Sequence, residues 1–422
     1  MFLFILYIVL SPLLGVMILV SGIFNRKIRR HILGGVSSRH RALQIQKKTL
    51  GDKKIVLFHA ASAGEFEQLK PILKKMDREK YFILQTFFSP TIFEKEKDTS
   101  LADAVCYHPF DLPWSASIFL SRFSPDYYII TRHDIWPMHV YLARLFGCKP
   151  ILINANLYED SARFLPLMKP FNRLVFNQFE LILTGSERLE HTLKKLADRT
   201  IVKVTGDSRF DQVIQRIEQM KFPQIPDRFA DRRNIIFGSV VSSDIPIIFD
   251  ALKEVFSNGI DDLEKQNWRL IFVPHEIGFR DIQPIQYQLN QLGISTGKLS
   301  EPDDQFNGNA LIIDRVGILA DLYAFASIAY VGAGFSTGVH SVIEPAVHGC
   351  VVAYGPQIDI LDEAQEMTQL HIGKLVNNAQ ELAAVFQLIE TPEKMKKLGT
   401  QSREFVLNKG HASNRIISEI FD

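Results

Sequence analysis

The chain has 422 residues, of which 46% are hydrophobic and 23% charged, with a formal net charge of +1. That length exceeds what a single hydrophobic core usually supports, so more than one domain is expected. The near-neutral balance argues against a nucleic-acid partner, which calls for a basic surface. Three scattered cysteines, Cys106, Cys148 and Cys350, show no paired metal spacing and fit a reducing compartment.

The amino terminus departs from the globular pattern. Met1 to Phe24 holds no charged residue, and about 20 apolar residues suffice to cross a bilayer. Arg26, Lys27, Arg29, Arg30, Arg39, Arg41, Lys47 and Lys48 follow before the first acid, Asp52. A basic flank of this kind stays on the cytoplasmic side and attracts anionic headgroups. The expectation is a membrane anchor over 1–24 with the body in the cytoplasm. A cleaved signal peptide would carry its charges ahead of the apolar run. Pro12 and Gly15 leave room for an anchor that dips rather than spans.

The body alternates strands with amphipathic helices, the pattern of parallel α/β sheets. Strands are predicted at Ile55–His59, Phe82–Thr86, Tyr127–Thr131, Pro150–Asn154 and Leu181–Thr184. The second half restarts with Asn234–Phe237, Arg269–Val273, Leu311–Asp314, Ile328–Val331 and Val351–Tyr354. Phe66, Leu69, Ile72, Leu73 and Met76 share one face at helical spacing. The pattern weakens between Gly206 and Asn234, which reads as a linker. The division is 25–215 for a first Rossmann-like domain, 216–390 for a second, and 391–422 for carboxyl-terminal helices that return to the first. Two such domains facing across a cleft bind ligands beyond the carboxyl ends of their strands.

Candidate residues do follow the strands. In His59-Ala-Ala-Ser-Ala-Gly-Glu65, small residues lead into a helix start, and Glu65 is placed to take a proton from a hydroxyl. A first-turn Glu that only complements the helix dipole is the plainer reading. In Thr131-Arg-His-Asp-Ile-Trp-Pro137, Arg132 can hold an anion and His133 with Asp134 can exchange a proton. A loop packed over Trp136 competes with that. Arg209, in Val204-Thr-Gly-Asp-Ser-Arg-Phe-Asp211, follows a strand and a Gly turn. It is either a cation for the cleft or half of a structural Arg–Asp pair. Phe272-Val-Pro-His-Glu276 offers His275 to a phosphate or a base. Asp314-Arg-Val-Gly317 offers a turn before a helix. The run from Val331 to Pro345 is Gly-rich, with Glu344 suited to a ribose diol. Gly334-Phe-Ser-Thr-Gly338 also fits the nucleophile elbow of a serine hydrolase. Ser336 would then need Asp359 or Asp362 and His371 or His411, with little chain left to complete such a sheet.

Taken in order, these segments resemble the 3-deoxy-D-manno-octulosonic acid (Kdo) transferases that glycosylate lipid A, from the apolar amino terminus to about Asn377. The shared patterns are His59 to Glu65, Pro109-Phe-Asp-Leu-Pro113, Asn154-Ala-Asn-Leu157 with Ser161, and Val204 to Asp211. Asp314 to Tyr323, His340 to Glu344 and Gly355-Pro356 complete them. The resemblance implies a GT-B fold and inverting transfer from CMP-Kdo to a lipid A precursor, with no metal or other cofactor. It implies Glu65 as general base and Arg209 as the cation that stabilises the transition state. It also implies CMP contacts from Pro274, His275, Val316, Gly317, Ile318, Ser341, Val342, Ile343 and Glu344. The chain departs from the family at Arg132, where many members carry Glu. His275 replaces an Arg, and Ser341 replaces an Asn. The alternatives are a GT-B transferase with another nucleotide sugar, such as UDP-GlcNAc, and a membrane-tethered sugar-binding scaffold.

Overall fold

The computed structural model describes residues 2–132, 134–220, 222–231, 233–301 and 308–422. The chain forms two compact units, residues 1–212 with 410–422, and residues 213–409. The passage between them falls inside a helix, Ser208–Glu218. Sequence had suggested a linker there. The helix forms because Phe210, Val213, Ile214 and Ile217 recur at helical spacing, which the later prolines and charges obscure.

The first unit is built on seven parallel strands: β1 (Lys54–Ala60), β2 (Tyr81–Phe87), β3 (Ala104–Tyr107), β4 (Tyr127–Thr131), β5 (Lys149–Ala155), β6 (Leu181–Thr184) and β7 (Ile201–Val204). Their order is β3-β2-β1-β4-β5-β6-β7. β1, β2 and β5 are buried along nearly their whole length, as strands covered on both faces must be. Helix Ala412–Phe421 belongs to this unit, where Ile416 enters the core beside Phe66 and Leu69. Asp211 secures it: its carboxylate accepts the N–H groups of His411 and Ser413 and the Ser413 hydroxyl.

The second unit repeats the plan with β8 (Asn234–Val240), β9 (Arg269–Pro274), β10 (Thr296–Lys298), β11 (Ala310–Ile312), β12 (Ala326–Val331), β13 (Val351–Tyr354) and β14 (Gly373–Leu375). The order is β10-β11-β9-β8-β12-β13-β14, again all parallel. Helix Pro392–Asn408 packs in this unit.

Helix Phe2–Phe24 is long and apolar enough to cross a membrane. One of its edges nevertheless lies on the first unit. Phe4 is buried against Tyr141 and Phe171, and the Tyr7 hydroxyl donates to Asp111. Most of its large apolar residues face outward, Phe24 being 85% exposed.

Candidate active site

Ligand sites in parallel sheets open where the strand order reverses. In the first unit that point lies between β1 and β4. β1 ends in small residues, and Ser62 starts helix Ala63–Leu73. The Ser62 hydroxyl accepts the Glu65 N–H at 3.3 Å, while Glu65 Oε2 accepts the N–H groups of Ala61 at 2.7 Å and Ser62 at 3.2 Å. This is a capping box, so Glu65 does carry the helix-start duty. Its Oε1 makes no hydrogen bond among the described residues. Glu65 is 7% exposed. Burial first, and then the nearby Asp134, raise its hold on a proton; His59 and the two backbone N–H groups work against them.

From β4 the chain turns at Arg132, which has φ 64°, left-handed backbone that a non-glycine residue adopts only under local constraint. Its N–H still pairs with the Ile153 carbonyl at 2.9 Å. His133 lies outside the described residues. Asp134 Oδ2 accepts the Trp136 indole N–H at 2.8 Å and stands 3.5 Å from His59 Nε2. One partner of Asp134 is therefore a histidine from the neighbouring strand. His59 is 1% exposed, and its other nitrogen lies 3.1 Å from the Thr86 hydroxyl. Trp136 packs on Phe88, His108 and His59.

Behind this pair sits a histidine stack that sequence did not single out. His59 lies 4.0 Å from His108, and His108 4.2 Å from His139, ring centre to ring centre. Burial lowers the proton affinity of both His108 and His139. Asp111, from the quoted Pro-Phe-Asp-Leu-Pro run, holds His139 Nδ1 at 2.8 Å. It also accepts the N–H groups of Met138 and His139 at 3.0 Å. It thus caps helix Pro137–Leu145, whose own preceding residue, Trp136, supplies no side-chain cap. That cap fixes the exit of the loop bearing Asp134.

Arg209 opens helix Ser208–Glu218, and its Nε donates to Asp207 Oδ2 at 2.9 Å; the structural Arg–Asp pair is present. Asn154 ties this segment to the sheet. Its side chain donates to Ser208 Oγ at 2.8 Å and accepts the Ser208 N–H at 2.9 Å, and Ser208 Oγ reaches the Gln68 carbonyl on the Glu65 helix. Asn154 and Ser208 thus hold the Arg209 turn beside the helix that carries Glu65.

In the second unit the order reverses between β8 and β12. Asp244, fully buried, organises the strand ends. It accepts the Tyr330 hydroxyl at 2.9 Å, the Val241 N–H at 2.9 Å and the Ala333 N–H at 2.8 Å. A Cβ at Gly332 would sit 2.4 Å from the Ser239 carbonyl, and one at Gly334 would sit 2.6 Å from the Gly355 nitrogen. These glycines exist so that the loops can touch. His275, just past Pro274, stacks on His340 at 4.7 Å. Burial lowers the proton affinity of His340, with His275 adding to the effect and Asp244 opposing it. Val316 is 70% exposed, and Gly317 has φ 86°. Helix Leu319–Leu322, which follows, has only four residues. Val342 and Ile343 are buried in the core, so only their backbone can meet a ligand, whereas Ser341 and Glu344 are half-buried. In sequence Asp244 ends a hydroxyl-rich loop, Ser239-Val-Val-Ser-Ser-Asp244, whose composition does not reveal that the carboxylate is buried.

Ser336 lies in a turn, and its hydroxyl reaches only the Ala333 carbonyl, at 3.5 Å. It has no histidine partner among the described residues, and the hydrolase elbow is not formed. Among the described residues no cluster of three or more His, Cys, Asp or Glu side chains is arranged to hold a metal.

Residues 36–212 match the family described as 3-Deoxy-D-manno-octulosonic-acid transferase (kdotransferase). The chain is 25% identical over 370 residues to the 3-deoxy-D-manno-octulosonic acid transferase of Chlamydia muridarum, covering 85% of this chain and 84% of that one. It is 27% identical over 349 residues to the Aquifex aeolicus protein of the same name, covering 82% and 89%. Among solved structures, UDP-GlcNAc 2-epimerase from Neisseria meningitidis superposes with a TM-score of 0.62 at 18% identity, covering 87% of this chain and 98% of the other. A putative UDP-N-acetylglucosamine 2-epimerase from Listeria monocytogenes gives 0.62 at 13% identity, covering 87% and 96%. These two likenesses establish the two-unit GT-B fold and nothing more.

Proposed function

Because the chain belongs to the 3-deoxy-D-manno-octulosonic acid transferase family, we propose that it transfers Kdo from CMP-Kdo to a lipid A precursor, with inversion and without a metal. The observation that carries the reading is the Glu65 carboxylate. One oxygen is anchored by two backbone N–H groups, the other makes no hydrogen bond among the described residues, and burial keeps the group basic. A general base needs this combination of fixed orientation, a spare lone pair and raised proton affinity.

In the proposed step an acceptor hydroxyl oxygen attacks the anomeric carbon of Kdo. The bond from that carbon to the CMP phosphate breaks, and Glu65 takes the hydroxyl proton. Charge accumulates on the departing phosphate, and fixed dipoles and cations stabilise it. Gly334 and residues 341–344 supply backbone N–H groups. Pro274, His275 and 316–318 border the nucleotide, and Glu344 accepts from the ribose. Arg209 is the cation of the step, oriented by Asp207. Arg132, where the family often has Glu, answers the carboxylate of the sugar acid. The apolar amino-terminal helix and the basic run after it associate the enzyme with the inner membrane, the body on the cytoplasmic side. The test is purified full-length protein with CMP-Kdo and a tetraacyl lipid A precursor, read by product mass. Addition of one or more Kdo masses is expected. Inert CMP-Kdo alongside turnover of a UDP-sugar would replace the donor.

A further inference from the structure

A cavity of about 430 Å³ lies within the first unit, between helix Phe2–Phe24, helix Arg26–Thr49 and residues 109–115. Its walls are apolar: Gly15 and Leu19 from the first helix, Ile32 and Val36 from the second, Phe110 and Trp114 from the segment. Gly15 lets the wall close, since a Cβ there would stand 3.1 Å from the Trp114 ring. The lining includes no acid, yet it includes Arg39.

Arg39 is half-buried, and its guanidinium folds back over Gly35, whose added Cβ would lie 2.9 Å from Nη1. It makes no hydrogen bond or ion pair among the described residues. Burial lowers its proton affinity, and the ionisable groups it feels are Cys106 and Arg122. Cys106 is fully buried and pushed up to about 12, so it is a neutral thiol. His31, which also lines the cavity, is pushed down to about 4 by burial and is neutral as well. A permanently charged guanidinium inside an acid-free apolar cavity is costly unless an anion meets it.

We propose that this cavity binds an anionic glycerophospholipid of the bilayer, with one acyl chain between the two helices and its phosphate on Arg39. A planar guanidinium recognises phosphate through paired N–H groups. The first helix offers a bilayer an apolar surface beside the cavity: Val9, Leu13, Met17 and Val20 are exposed on it, and Trp114 is 44% exposed. Arg26, Lys27, Arg29 and Arg30 at the helix junction concentrate anionic lipid nearby. On the inner side a run of aromatic contacts leads from the cavity wall to Trp136, beside the Glu65 site. His31 bonds the Phe88 carbonyl at 2.9 Å and packs on Phe88 and Phe110, and Phe88 packs on Trp136. A lipid seated there is held and not glycosylated, which separates this site from the acceptor's.

The experiment uses full-length protein in mixed micelles of a neutral detergent carrying phosphatidylglycerol brominated on its chains, with tryptophan fluorescence as the readout. Saturable quenching is expected, and the saturable part should vanish in Trp114→Phe. Brominated phosphatidylcholine should bind at least about tenfold more weakly. Arg39→Gln should weaken phosphatidylglycerol by a similar factor, Arg39→Lys should recover part of it, and Val36→Phe, which narrows the cavity, should weaken both lipids. Equal quenching by the two lipids, or Arg39→Gln without effect, overturns the phosphate contact. Quenching that persists in Trp114→Phe overturns the cavity. Displacement by inorganic phosphate alone would make it a free-anion site, and one-to-one displacement by the tetraacyl precursor would make it the acceptor's; either refutes the proposal. No donor is present, so the outcome stands apart from that of the transfer assay.

Discussion

Replacing Glu65 separates its two duties, because the substitutions remove different atoms. Glu65→Gln keeps an oxygen that can accept from Ala61 and Ser62 but has no basic lone pair to spare. Exchanging a charged acceptor for a neutral one costs about 0.5–1.5 kcal/mol, which for a unit of this size is a Tm drop of about 2–5 °C. Glu65→Ala orphans both N–H groups and half of the capping box, and should cost about 1–2 kcal/mol or somewhat more. Loss of a general base, in contrast, slows transfer by about 10²–10⁴-fold, equivalent to about 3–5.5 kcal/mol of barrier. The expected result is two variants of modestly different stability and nearly equal, severe loss of kcat, with CMP affinity unchanged.

The pH dependence carries its own sign. The folded carboxyl holds its proton more tightly than the ordinary value of 4.5 would allow. Between that value and its folded pKa the native state therefore binds more protons than the unfolded state, and stability falls as pH rises through the window. Glu65→Gln abolishes this slope, so its stability deficit against the parent should shrink from acid to neutral pH. The acid limb of the parent's rate profile should also lie above the usual carboxylate range. Initial rates with CMP-Kdo, denaturant melts at several pH values and CMP titration supply all three readouts. Transfer by Glu65→Gln within about threefold of the parent would refute the base assignment and leave Glu65 a helix cap.

Asp211→Ala should free the first turn of helix Ala412–Phe421, leaving the His411 and Ser413 donors unpaired. A loss of about 2–3 kcal/mol and faster proteolytic trimming near residue 410 are expected; an unchanged melt would show that Ile416 packing holds the helix by itself. Asp244→Asn should misorder the ends of β8 and β12, since an amide cannot accept the Tyr330, Val241 and Ala333 donors in the same arrangement. CMP binding measured by calorimetry should weaken at least about tenfold, well beyond a stability cost of about 1–3 kcal/mol. Gly334→Ala drives a Cβ to 2.6 Å from the Gly355 nitrogen. Backbone displacement of about 1–3 kcal/mol and loss of CMP affinity are expected, and a soluble variant with parental affinity would contradict the close packing of these two turns.

The amino-acid sequence by itself determined the inner architecture. The ten strands read from it are the ten inner strands of the two sheets, because continuous burial on both faces demands apolar runs visible in one dimension. The edges β3, β10 and β14 have only three or four residues, and β7 buries only Val202. Such strands leave little pattern to read, and only the end of β7 showed, through its Gly turn. The order of the short motifs likewise carried the family and the candidacy of Glu65. Only the tertiary structure decided which side chains meet. His59 finds Asp134 in the loop after the neighbouring strand, Asp111 caps a helix 26 residues later (Pro137), and Asp244 gathers donors from Tyr330 and Ala333 nearly 90 positions away. Hydrogen bonds between residues so far apart depend on strand order and register, which local periodicity does not encode.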